Sequence, residues 1–134
     1  MNIYLVDDND DFRETLKFFL EDYLSHKVVG ESKDGKTFLE RDDIFADIIL
    51  MDINMPEING IQATKMGTWK NHEYKIIAVS QYKENVDLHQ LISVGFKGFV
   101  SKVNLFRDLE SALEDVYGGK LFFPEEINFT KKNP

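Results

Sequence analysis

Three short runs, IYLV at 3–6, IILM at 48–51 and IIAV at 76–79, are apolar at every position. A half-exposed strand alternates apolar and polar residues. An unbroken apolar run of this length fits a strand covered on both faces, as in a parallel sheet. Segments 28–31 and 98–100 read as two further strands. Between them the apolar period lengthens to that of a helix. After Asp11, an N-cap candidate with Glu14 three residues on, Phe12, Leu16, Phe19, Leu20, Tyr23 and Leu24 recur at helical spacing. A short second helix is expected over 36–40. A third follows Gly60, weakened by Gly67 and Thr68, with Trp69 as partly buried packing. A fourth covers about 83–93. The fifth starts at Asn104, carries Leu105, Leu109, Ala112, Leu113, Val116 and Tyr117, and stops at Gly118-Gly119. Five alternating β/α units predict an α/β fold: a five-stranded parallel sheet with helices on both faces. The segment KLFFPEEINFTKKNP falls outside that pattern, so 1–119 reads as one domain and 120–134 as a tail or the start of a linker.

Bulk properties narrow the function. The chain has 134 residues, enough for one core. Its net charge of −8 argues against direct binding of this domain to nucleic acid. No cysteine is present, which removes disulfides, thiolate metal sites and cysteine nucleophiles. No apolar run reaches the roughly 20 residues of a membrane-spanning helix. MNIYLV passes straight into a strand without a basic start, so a signal peptide is not expected and the location reads as cytoplasmic.

In open α/β sheets function gathers at the carboxyl ends of the strands. In this chain those ends carry Asp7 and Asp8, then Asp52, Ser80 and Lys102. Three carboxylates at close quarters repel unless a cation sits among them. The donors are all oxygen, which suits a hard divalent ion, Mg²⁺ best. Lys102 adds a fixed positive charge and Ser80 a small hydroxyl, so the set reads as a cradle for a phosphoryl group. Asp52, central in the sheet, is placed to attack phosphorus and form an acyl phosphate. Each residue alone has an ordinary reading: an acidic helix start for Asp7 and Asp8, a turn residue for Asp52, a strand-end hydroxyl for Ser80, a solvated charge for Lys102. Their joint occurrence, one group per strand end, favours the functional reading. His26, His72 and His89 lie away from the set and read as surface or packing residues.

These residues, with Asp52 inside MDINMPEING, resemble the receiver domain of two-component response regulators, of flavodoxin-like, CheY-like fold, over about residues 2–119. The resemblance implies that Asp52 is the phosphoacceptor, served by a histidine kinase or a phosphotransfer protein. Asp8, Asp52 and the backbone carbonyl of Asn54 would ligate Mg²⁺, with Asp7 acting through water. Ser80 and Lys102 would bind phosphoryl oxygens, and Phe99 would be the aromatic switch that turns inward as Ser80 moves. Asn54 and Tyr82 match the positions that tune phosphoryl lifetime, and Pro56 and Gly60 would shape the loop after Asp52. Val103 stands where many receivers have proline, so a trans link is expected, a non-proline cis bond costing about 3 kcal/mol. VGFKGFVSK and ALEDVYGGKLFFPEEI are similar to receivers that precede a LuxR-type helix-turn-helix domain. The implied function is regulation of output, transcription if a DNA-binding domain follows, through a partner-binding face or a homodimer formed on phosphorylation. A stand-alone regulator acting by protein–protein contact is the alternative.

Two rivals fit less well. A Mg²⁺-dependent phosphohydrolase of the haloacid dehalogenase type would carry its nucleophile after the first strand with a second acid two residues on. A flavin-binding module would need a Ser/Thr/Gly-rich loop where Asp7 and Asp8 stand. The reading is of a signalling domain that performs only self-phosphorylation and self-dephosphorylation.

Overall fold

The computed structural model describes residues 1–81 and 87–123. Five parallel strands, β1 (Asn2–Val6), β2 (Lys27–Ser32), β3 (Ile48–Asp52), β4 (Ile76–Ser80) and β5 (Phe96–Ser101), form one sheet in the order β2-β1-β3-β4-β5. Helices α1 (Asp10–Phe18), α2 (Gly35–Glu40), α3 (Gly60–Lys70), α4 (Leu88–Val94) and α5 (Leu105–Tyr117) connect or follow them. This is the expected α/β architecture, a flavodoxin-like doubly wound fold.

The apolar runs become strands because every position finds cover. Along β1, Ile3 and Leu5 point to a core built with Leu16 of α1 and Leu109, Leu113 and Val116 of α5. Tyr4 and Val6 point to the opposite core, with Phe38 of α2, Ala63 of α3 and Leu91 of α4. Ile77 and Val79 of β4 alternate with Ile76 and Ala78 in the same way. All five residues of β3 and all five of β4 are buried. The strand order reverses between β1 and β3, which opens a crevice at their carboxyl ends.

Several local expectations change. α1 starts earlier: Asn9, not Asp11, is the N-cap, its side chain accepting from the Phe12 N–H. The chain then continues into a π-helical turn, Phe19–Tyr23. α3 is continuous rather than broken. Gly67 lies buried beneath the Phe38 ring, and the single Thr68 hydroxyl proton is shared between carbonyls within reach, Thr64 at 2.9 Å and Val94 at 3.1 Å among them. Trp69 is exposed, not half-buried. Asn104 precedes α5 without a side-chain cap; Ser101 instead accepts from the Val103 N–H across a 3₁₀ turn at Lys102–Asn104. No cis peptide is found among the described residues.

The segment after α5 does not leave the sheet at once. The Phe122 N–H donates to the Lys97 carbonyl at 3.0 Å, and the Phe99 N–H donates to the Phe122 carbonyl at 2.8 Å. Phe122 packs on the α1/α5-side core and Phe123 on the other. A short strap thus covers part of the edge of β5. A Cβ on Gly98 would sit 2.9 Å from the Phe122 carbonyl oxygen, closer than real contacts allow. Gly98→Val should therefore lift the strap, lowering stability by about 1 kcal/mol per hydrogen bond lost. Hydrogen exchange should show the Phe99 amide deprotected; unchanged protection would mean that the strap does not hold β5.

Candidate functional site

Each candidate side chain is delivered by a strand end. Asp7 follows β1 directly, Asp52 closes β3, Ser80 closes β4 and Lys102 follows β5. Register aligns them, since Val6 pairs with Met51, Asp52 with Val79 and Ser80 with Ser101. The loop after Asp52 is held tightly against the strand. The Gly60 N–H donates to the Ile53 carbonyl at 2.8 Å, and any Cβ at Gly60 would collide with the Asp52 carbonyl oxygen. Asn59 closes the loop with a capping box: its side-chain oxygen accepts the Gln62 N–H, and its own N–H donates to the Gln62 side-chain oxygen, both at 2.9 Å.

Asp7, Asp8 and Asp52 form a cluster with one carboxylate oxygen from each within 4.8 Å of the others. Asp7 and Asp52 are buried, and Asp8 is exposed. The Lys102 ammonium lies 3.0 Å from Asp7 Oδ2 and 3.9 Å from Asp52 Oδ1. It also sits 4.1 Å from the centroid of the Phe12 ring. The other Asp7 oxygen accepts the Asn9 N–H at 2.8 Å. Asp52 accepts the Asn54 N–H at 3.3 Å, and the Asn54 side-chain amide donates to Ser80 Oγ at 3.3 Å. Burial, with Asp7 and then Asp8 adding repulsion, pushes the Asp52 carboxyl up to about 7, although Lys102 and the Asn54 N–H oppose the shift.

This donor set fits a hard divalent cation. It is all oxygen, it converges from two strand ends, and its excess negative charge is only partly met by Lys102. The structure brings together Asp7, Asp8, Asp52, Asn54, Ser80 and Lys102. Phe99 is fully buried and pairs with Ala78 across β4 and β5. It shares the sheet face of Ser80, which lies two residues beyond Ala78. Tyr82 lies outside the described residues.

Two contributors carried no warning in the sequence. Phe12 reads there as one residue of an apolar stripe, yet its ring lies beneath Lys102. Arg13 donates to the Asp7 carbonyl at 2.6 Å while pairing with Asp10 at 2.6 Å and Glu31 at 2.9 Å, which ties α1 to the end of β1 and to β2. Their only sequence signal is position, in the first turn and a half after the acidic pair.

An acidic pocket at the switch point of a doubly wound sheet agrees with the resemblance to receiver domains that the sequence carries. Residues 3–114 match the family model of the response regulator receiver domain, and the chain belongs to that family. It is similar to the response regulator UvrY of Escherichia coli (strain K12), 32% identical over 128 residues, covering 95% of this chain and 59% of that protein. It is similar also to the transcriptional regulatory protein YdfI of Bacillus subtilis (strain 168), 34% identical over 116 residues, covering 83% of this chain and 54% of that one. The chain thus spans little more than half the length of these curated relatives. Among solved structures, the isolated receiver domain of RcsB from Salmonella enterica serovar Typhimurium, with phosphomimetic BeF₃⁻, superposes with a TM-score of 0.81 at 26% identity, covering 95% of each chain. No helix among the described residues is long and apolar enough to cross a membrane.

The raised Asp52 carboxyl has a consequence for stability. The unfolded chain loses this proton near pH 4 and the folded chain near pH 7, so between those values the folded state binds more protons. The contribution favouring the fold is present at low pH and is lost as pH rises through about 7. Without added metal, Asp52→Asn should raise stability at pH 8 by on the order of 2 kcal/mol and change it little at pH 4. Urea unfolding at both pH values checks this; equal effects at the two would overturn it.

Proposed function

We propose that Asp52 is the phosphoacceptor of this receiver domain and that phosphorylation resets a binding face controlling output. The observation that carries the reading is the convergence of Asp52, Asp7, Asp8, Ser80 and Lys102 on one crevice. A carboxylate oxygen of Asp52 attacks the phosphorus of a phosphohistidine on a histidine kinase or phosphotransfer protein. The N–P bond breaks, the electron pair leaves with the imidazole, and an acyl phosphate remains on Asp52. Lys102 binds a phosphoryl oxygen, moving its charge from Asp7 toward the new group, and the Ser80 hydroxyl binds another. Asp7, Asp8, Asp52 and the backbone carbonyl of Asn54 would hold Mg²⁺. Bound there, the ion offsets carboxylate repulsion and the charge of the transferred group.

The switch follows from sharing a face. Ser80 moving toward a phosphoryl group leaves space that Phe99 re-occupies, altering the surface of α4, β5 and α5. A second face is offered by α1 and α5, where Phe18, Tyr23 and Phe106 are exposed and Phe19 stacks edge-on to Phe106 at 4.7 Å. Either face suits a partner or a second copy of the chain on phosphorylation. In the longer relatives' context, output through transcription is the reading we favour, in the cytoplasm, with no turnover beyond self-phosphorylation and self-dephosphorylation. Asn54 and Tyr82 are assigned to phosphoryl lifetime.

With labelled acetyl phosphate, the wild-type chain should take up label in the presence of Mg²⁺ and lose that ability on chelation. Asp52→Asn should take up none, and Lys102→Ala should fall by about a hundredfold or more, the scale of losing an electrostatic donor to a transition state. Uptake by Asp52→Asn at the wild-type rate would reject the assignment.

A further inference from the structure

α3 buries small residues and, past Ile61, which packs on the core, presents its two remaining large apolar residues to solvent. Gly60, Ala63, Thr64 and Gly67 are its buried positions, whereas Met66 is 45% and Trp69 82% exposed. Trp69 is the single tryptophan of the chain. It lies near the starts of β4 and β5, at the sheet edge opposite the acidic crevice.

Concavities flank Trp69 on two sides. One, of about 390 Å³, reaches toward the end of α4 and has Lys65, Tyr74 and Lys97 in its walls. The other, of about 440 Å³, reaches toward α2 and is walled by Leu39, Met66 and Lys70. Among the described residues neither is lined by an aspartate or glutamate. In a chain with 24 acidic and 16 basic residues, this is a local reversal of sign. Lys70 is engaged with the Leu39 carbonyl at 2.6 Å and Asp42 at 3.1 Å, so Lys65 and Lys97 carry the outward charge. The floor is already set, because the Thr68 hydroxyl ties α3 to the Val94 carbonyl at the end of α4. A preformed surface loses little entropy on binding, and an exposed tryptophan beside a concavity is the residue type that anchors interfaces.

We propose that the Trp69 surface docks an acidic peptide segment of another protein, an apolar side chain seated against Trp69 and its carboxylates facing Lys65 and Lys97. Charge selects this occupant. A short acidic segment fits within the basic rim of Lys65 and Lys97, whereas a long polyanion such as nucleic acid would extend beyond it onto a surface of net negative charge, and a second copy bound by the same face would bring the same lysines opposite. The surface is separate from the proposed phosphoacceptor crevice and is tested without phosphorylation.

Trp69 is its own reporter. The full chain is titrated with a short synthetic peptide of Glu and Asp flanking a central Leu-Phe pair, and with its counterpart carrying Lys at every acidic position. The acidic peptide should give a saturable blue shift of the tryptophan emission. The lysine peptide, and the Lys65→Glu/Lys97→Glu variant with the acidic peptide, should bind about tenfold more weakly, the scale of two exposed ion pairs. Circular dichroism of the variant confirms that it is folded. No saturable shift, or equal affinity for both peptides, would overturn the proposal. So would concentration-dependent dimerisation abolished by Trp69→Ala, which would assign the surface to a second copy.

Discussion

The structure turns on an imbalance of charge at one edge of its sheet. Two buried carboxylates, Asp7 and Asp52, and an exposed third, Asp8, are met by one ammonium group among the described residues. Lys102 is closer to Asp7, at 3.0 Å, than to Asp52, at 3.9 Å, and it is fixed from the other side by the Phe12 ring. Burial, and after it repulsion from Asp7 that Lys102 only partly offsets, shifts the Asp52 carboxyl toward the neutral form. A proton or a cation added to the crevice would relieve part of that repulsion.

The imbalance is tolerable because everything beneath it is conventional packing. β3 and β4 are buried along their whole length, and the two cores on either side contain apolar side chains almost throughout. Such interiors are close-packed and do not yield to local charge strain. The cost of the carboxylates is confined to the strand ends, where Arg13 ties α1 to the Asp7 carbonyl and Gly60 admits the backbone of Asp52. The stable part of the molecule and the strained part are one residue apart.

That division also sets what could be read from the amino-acid order. IYLV, IILM and IIAV point to buried strands because four successive apolar residues, rich in Ile and Val, fit a strand covered on both faces and are too short for a buried helix. The candidate site followed from them, since a residue one step past a buried strand has a known place. α3 resisted, because its inward face is Gly, Ala and Thr, and a stripe of small residues leaves no hydrophobic period; Met66 and Trp69 instead point outward. The π-turn at Phe19–Tyr23 was invisible for the opposite reason, as its aromatics fit ordinary helical spacing equally well. The strap at Phe122 rests on two main-chain hydrogen bonds, which no side-chain pattern encodes. Phe12 and Arg13 acquire their roles from the angle at which α1 lies on the sheet, a property of packing rather than of sequence.

The strap bears on how a signal at Asp52 would travel under the proposed reading. Phe99 has its side chain in the core shared with α4 and its N–H bonded to Phe122. Sliding β5 would break that bond and the ladder to β4 together, whereas rotating the ring breaks neither. A side-chain movement at Phe99 is then the lower-cost response to a displaced Ser80, and the strand serves as a fixed axis. The same geometry places the start of the C-terminal segment directly on the strand that carries both Phe99 and, one residue past its end, Lys102. Under that reading, the shortest connection between the acidic crevice and Phe122 would be one strand and two hydrogen bonds.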